Sequence, residues 1–235
     1  MLWIVVSAFV VASISSWLGY KRLLYLDQIN SRNLSYTLLG ILIVFLILQF
    51  LHRIGYFPEA VAGAFMANVY ASSFGFFLGA AIEQFNQKSN YGEITYVNRS
   101  FWTDIFPNIV TIGLILFGLQ RTALFSDLPI TPIRITSGLS IMAIGAYSFT
   151  IRLVPELRKK GLIFLDRKIS WDDFFTYSWF SEGVIEIEYK LDDEIRSFKT
   201  MVPDEDELFV EKLLTKKIAE KLEKDEFDEY EEIDS

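Results

Sequence analysis

The sequence predicts an α-helical membrane protein: a bundle of about five transmembrane helices followed by a small α+β domain of about four antiparallel strands and one helix. Three observations predict this class. Five long apolar runs fill residues 1–155, and from Gly161 apolar and polar residues begin to alternate. After Pro203 apolar residues recur at helical spacing between acidic and basic ends. The overall 51% hydrophobic content averages a very apolar front and a charged back.

A helix rises about 1.5 Å per residue, so crossing a hydrocarbon core about 30 Å thick takes roughly 20 apolar residues. The runs that approach this length are residues 2–18, 37–51, 60–82, 107–123 and 135–154. Lys21 and Arg22 close the first, and His52 and Arg53 the second. Pro58 and Glu59 precede the third, Asn108, Gln120 and Arg121 shorten the fourth, and Pro155 stops the fifth. The first run has no preceding bases, so it reads as a retained span rather than a cleaved signal. Lys and Arg side with the cytoplasm in short loops. Eleven (21, 22, 32, 88, 99, 152, 158–160, 167, 168) fall on one side of a five-span chain and three (53, 121, 134) on the other. The expectation is an integral protein of a bacterial cytoplasmic membrane, N-terminus outside and C-terminus cytoplasmic.

Within the third run, Gly63, Ala67, Ala71, Gly75 and Gly79 recur every four residues and therefore share one helix face. Where lipid supplies no hydrophobic drive between helices, such a face lets backbones approach closely. It is the candidate packing site, either inside the bundle or as the seam of a homo-oligomer or a protein partner. The first run offers Ala8, Ala12 and Ser16 as a complement, and the fifth Gly138 and Gly145. Asn68 and Ser72 are central and uncharged, fit for interhelical hydrogen bonds or a polar path.

Little else points to chemistry. There is no cysteine and one histidine, His52, which leaves no disulfide, thiolate metal site or paired-histidine site. Nucleophile elbow and phosphate loop are missing, so no catalytic residue, metal or cofactor is expected. Of the net charge of −8, seven units come from residues 225–235, which hold seven acids and no base. The remainder is balanced at 22 bases against 23 acids, which gives no basic surface for nucleic acid.

The domain is expected over residues 156–224, with 225–235 an acidic disordered tail. Gly161–Lys168 begins as an apolar strand, Ser170–Phe180 is aromatic-rich, and Val184–Lys190 and Ile195–Val202 alternate as half-buried strands around a turn at Leu191–Glu194. The helix after Pro203 has Asp204 and Glu207 at capping-box spacing and one stripe of Val210, Leu213, Leu214, Ile218 and Leu222. In the preceding inter-span loop, Glu93–Val97 alternates as a short strand and Arg99–Ile105 suits a membrane surface. The order Gly161, Trp171, Phe174, Tyr177, Trp179, two alternating strands and an amphipathic helix resembles the tails of uncharacterised bacterial multi-span membrane proteins. It is also similar to part of the bacterial pleckstrin-homology-like domains that follow transmembrane helices. The resemblance implies a docking or regulatory module that binds lipid headgroups or a protein partner. Arg158, Lys159 and Lys160 are the candidate headgroup contacts. The alternative expectation is a subunit of a transporter or channel using Asn68 and Ser72, and an intramembrane enzyme built on Glu83, Asp104 and His52 is the third.

Overall fold

In hydrocarbon each main-chain N–H and C=O must bond within its own segment, and long apolar runs therefore fold as helices. A computed structural model describes residues 2–22, 25, 26, 30–191 and 193–233 of the chain. Among these, four helices are long and apolar enough to cross a membrane. They are α1 (Leu2–Tyr20), α2 (Ser31–Arg53), α3 (Glu59–Asn90) and α4 (Phe106–Arg121), the last extended at its start by the π-helical turn Phe101–Ile105. The expected fifth span, residues 135–154, is corrected at its end. Helix α5 (Pro132–Thr150) is diluted by Arg134 and several hydroxyl residues and falls outside that set, and it ends before Val154. At its cap, Ile151 has an extended backbone (ψ 144°), and Arg152–Arg158 leave the helix as a strand.

Local signals account for the helix starts. The Asn30 side chain accepts a hydrogen bond from the Arg32 N–H (3.2 Å), and Thr131 accepts one from the Arg134 N–H (3.3 Å) with Pro132 opening the helix.

The chain divides into two compact units, Met1–Asn86 with Asp104–Ile151, and Gln87–Thr103 with Arg152–Ser235. In the first, α1 and α3 meet backbone to backbone through glycines, and α4 and α5 do the same at Gly118 and Gly138. Helix α2 buries no residue.

Among the described residues the second unit contains seven strands rather than four. One antiparallel sheet has the order β1-β2-β3-β4, comprising Ile94–Val97, Arg152–Arg158, Gly161–Leu165 and Arg167–Ser170. The other has the order β5-β6-β7, comprising Phe174–Ser181, Val184–Leu191 and Glu194–Met201. The expected strand Gly161–Lys168 is a hairpin, Phe164 pairing with Arg167 across Leu165 and Asp166. Leu165 takes a positive φ of 54° there without the Gly or Asn that usually marks such a turn. Strand β2 was hidden because it continues the apolar run of α5. Its Pro155 reads as a helix stop but lies at an irregularity of the β2–β3 ladder.

Side chains of both sheets and of α6 (Asp204–Ile233) fill one core: Leu157, Leu162 and Ile169 from the first sheet, Phe174, Ile185, Ile187 and Tyr189 from the second, and Val210 and Leu214 from the helix. Alternation in β6 produces this directly, since Ile185, Ile187 and Tyr189 point inward while Glu186 and Glu188 point out. Phe164 stacks on Phe198 at 4.3 Å, joining the sheets. Trp171 and Trp179 pack against the same core, and the Trp171 indole N–H donates to the carbonyls of Arg158 and Lys159. Helix α6 continues past Lys224, where the sequence reading begins a disordered segment. Glu207 does not close a capping box; its carboxylate accepts from the Gly183 N–H of the β5–β6 turn (3.1 Å).

Strand β1 comes from the loop between α3 and α4 and is bound at several points. The Tyr96 hydroxyl donates to Asp206 of α6 (3.0 Å), and burial and then that bond raise its pKa. Tyr96→Phe should cost about 1.5–3 kcal/mol of stability, the worth of one such bond to a charged acceptor. Thermal unfolding of the full chain in mild detergent checks it, and an unchanged midpoint would contradict the assignment.

Candidate functional site

Small residues on α3 admit the backbone of α1. A Cβ placed on Gly75 would overlap the Ala12 carbonyl, 2.8 Å from its carbon, and one on Gly79 would meet Ser16 in the same way. From the opposite side, a Cβ on Gly19 would meet the Phe76 carbonyl. Ala67 and Ala71 are buried on this face, whereas a Cβ on Gly63 would lie 3.6 Å from the Ile133 side chain of α5, an ordinary contact. Gly138 and Gly145, noted in the sequence as complements, meet α4 instead, where Gly118 was overlooked: its would-be Cβ lies 2.8 Å from the Gly138 carbonyl oxygen. The signal was present as a glycine one turn before Thr122, but only a second helix at hand gives it meaning.

Asn68 and Ser72 both bond to α1. The Asn68 amide donates to the Ser7 hydroxyl (3.1 Å) and to the Ala64 carbonyl (2.8 Å), and the Ser72 hydroxyl pairs with that of Ser15 (2.9 Å). Asn68 Oδ1 is buried without a hydrogen-bond partner. A cleft of about 220 Å³ between α1, α3 and α5 is lined by Val5, Phe9, Ala71, Phe74, Ile135 and Leu139 among others; neither Asn68 nor Ser72 lines it.

Of the three bases expected at lipid headgroups, Arg158 is elsewhere. It is buried, donates to Glu156 (2.6 and 2.9 Å), and closes the end of α3 by donating to the carbonyls of Lys88 and Gly92. Strand alternation puts it on the face of β2 that Glu156 shares, opposite the core side chain of Leu157, and the Glu156 carboxylate holds it there. Lys159 and Lys160 are exposed, and Lys159 pairs with Glu93 (2.6 Å). Glu156 is 2% exposed and also accepts from Lys88 (2.9 Å). Burial by itself would raise its carboxyl, but the hydrogen bonds and charges of Lys88 and Arg158 outweigh burial and hold it below the ordinary carboxylate range. Sequence reasoning missed this cluster because its members, Lys88, Glu156 and Arg158, lie on two distant segments.

The outer face of the second sheet is exposed and mixed in character. Phe180, Ile195 and Met201 are 62%, 61% and 70% exposed. The Lys199 ammonium sits 3.1 Å from the Phe180 ring centroid, and Glu186 accepts from Ser197 (2.8 Å). Among the described residues no three His, Asp or Glu side chains group as metal ligands.

Fold and surfaces together define a class: a chain with several apolar helices followed by a small antiparallel domain carrying one helix. Residues 153–219 match a family described as a Domain of unknown function (DUF5673). No curated protein and no solved structure matches the chain.

Proposed function

We propose that the chain is a non-enzymatic integral membrane protein whose two-sheet unit is a cytoplasmic docking or regulatory module for a protein partner. The observation that carries this reading is the outer face of the second sheet, where Phe180, Ile195 and Met201 stand in water beside Lys199 and Glu186. Large exposed apolar side chains rimmed by charge are the composition of a protein-binding surface. The sequence similarity to part of the bacterial pleckstrin-homology-like domains also favours a binding role. With α5 counted as a fifth crossing, as the sequence reading has it, the uneven distribution of Lys and Arg favours a cytoplasmic position for this unit.

Lipid headgroups are the second ligand class, favoured by exposed Lys159 and Lys160 at the β2–β3 turn. With Arg158 engaged by Glu156, this site has two bases instead of three, worth about 1 kcal/mol each at an anionic surface. A transporter or channel subunit rests on the unpartnered Asn68 Oδ1 alone.

A photo-reactive amino acid at Phe180 tests the reading in native membranes. The expected product is one discrete adduct whose mass spectrum identifies a different protein. Adducts with lipid only, or none while a probe at Lys160 captures lipid, would replace protein docking with headgroup binding.

A further inference from the structure

We propose that β7 is the seam at which two copies of this chain join, the strands pairing antiparallel so that two three-stranded sheets become one of six. The inference is independent of the docking face and starts from main-chain bonding. Gly183 and Val202 exchange a hydrogen bond, the Val202 N–H donating to the Gly183 carbonyl (2.9 Å). In an antiparallel ladder hydrogen-bonded pairs alternate with unbonded ones, so this bond sets the parity of the whole β6–β7 register. Thr200, Phe198, Arg196 and Glu194 direct their N–H and C=O groups to β6. Ile195, Ser197, Lys199 and Met201 direct theirs away from the sheet.

The Met201 carbonyl is taken by the Asn98 amide (3.0 Å). Among the described residues no main-chain group bonds the N–H or C=O of Ile195, Ser197 or Lys199, which stand in line along a strand that pairs with β6 without a bulge. The opposite edge differs. Strand β5 is interrupted by two irregularities, and its Phe174 carbonyl accepts from Lys221 of α6. An open, straight edge is a template for another strand.

A second copy fits because the open set is its own complement. With Ser197 on the two-fold axis, Ile195 of one copy pairs with Lys199 of the other, and every open donor meets an open acceptor. Side chains agree with this register: Arg196 lies across from Phe198 and Glu194 from Thr200, so no like charges face each other. Sliding by one step in one direction sets Arg196 against Arg196, and in the other it calls on the Met201 carbonyl already bound by Asn98.

The chain has no cysteine, so in its membrane it reports the seam cleanly. Hydrogen-bonded pairs of antiparallel strands have Cα atoms about 5.5 Å apart, within disulfide reach. Mild oxidation of Ser197→Cys should therefore give a covalent dimer, as should the paired variant Ile195→Cys with Lys199→Cys. Ile195→Cys alone should give at least about tenfold less, because its own copy lies four residues away along the strands, roughly 14 Å. Adding Ser197→Pro to the paired variant removes the central N–H at a tolerated edge position and should abolish the cross-link. Equal yields from Ile195→Cys and Ser197→Cys would signify random collision and overturn the seam. A Ser197→Cys adduct with another protein, or no adduct, would overturn it as well.

Discussion

Replacing Gly75 with Leu should disrupt the α1–α3 crossing and cost about 3 kcal/mol or more, the upper end for overpacking, because the atoms in the way are main chain. A side chain can change rotamer to make room. The Ala12 carbonyl cannot move without shifting α1, and that shift would break the Ser15–Ser72 and Ser7–Asn68 hydrogen bonds beside it. Titration of the full chain from mild detergent into sodium dodecyl sulfate, followed by circular dichroism, measures the loss. Gly40→Leu on α2 is the control, since nothing lies within 4 Å of a Cβ there. Equal stability of the two variants would remove the crossing as a determinant of the fold.

Glu156→Ala should be the most damaging change in the second unit. It leaves Arg158 buried and Lys88 half-buried without their shared carboxylate, and breaking one partner of a buried pair typically costs about 3–5 kcal/mol. Exposed Glu93→Ala, which removes only the surface pair with Lys159, should cost less than about 1 kcal/mol. The pH dependence has a definite sign. The folded Glu156 carboxyl is held below its ordinary value of 4.5, so its stabilisation is complete above that value and is lost as pH falls through the folded one. Thermal unfolding of the full chain in mild detergent should show wild type losing stability below about pH 4.5, with Glu156→Ala lacking that component. In a double-mutant cycle, Arg158→Ala combined with Glu156→Ala should cost far less than the two changes summed. Additive costs would mean that the two residues do not act together.

Element types were readable where a single segment carries its own signal. The apolar runs of α1 to α3, the alternation of β6 and β7, and the charge-graded start of α6 each follow from residues within one window. Strand β2 was not readable, because Leu153 and Val154 are as apolar as the end of α5 and the pairing that makes them strand comes from β1 and β3. The Leu165–Asp166 turn was invisible because Leu165, not Gly or Asn, takes its positive-φ position. The lipid role expected of Arg158 failed for a similar reason, since its position was known but its carboxylate neighbour and the helix end it closes were not.

The sequence by itself determined that the front of the chain is a set of apolar helices, that a small antiparallel unit with one helix follows, and that α3 carries a face of small residues. These are properties of period and composition, local to a few turns of chain. Only the tertiary structure decided that α1 fills that face, that the α3–α4 loop supplies the first strand of the second unit, and that three charges from distant segments share one buried site. Each of those depends on which segments meet, and contact between segments far apart in sequence is set by packing and main-chain pairing that no single window records.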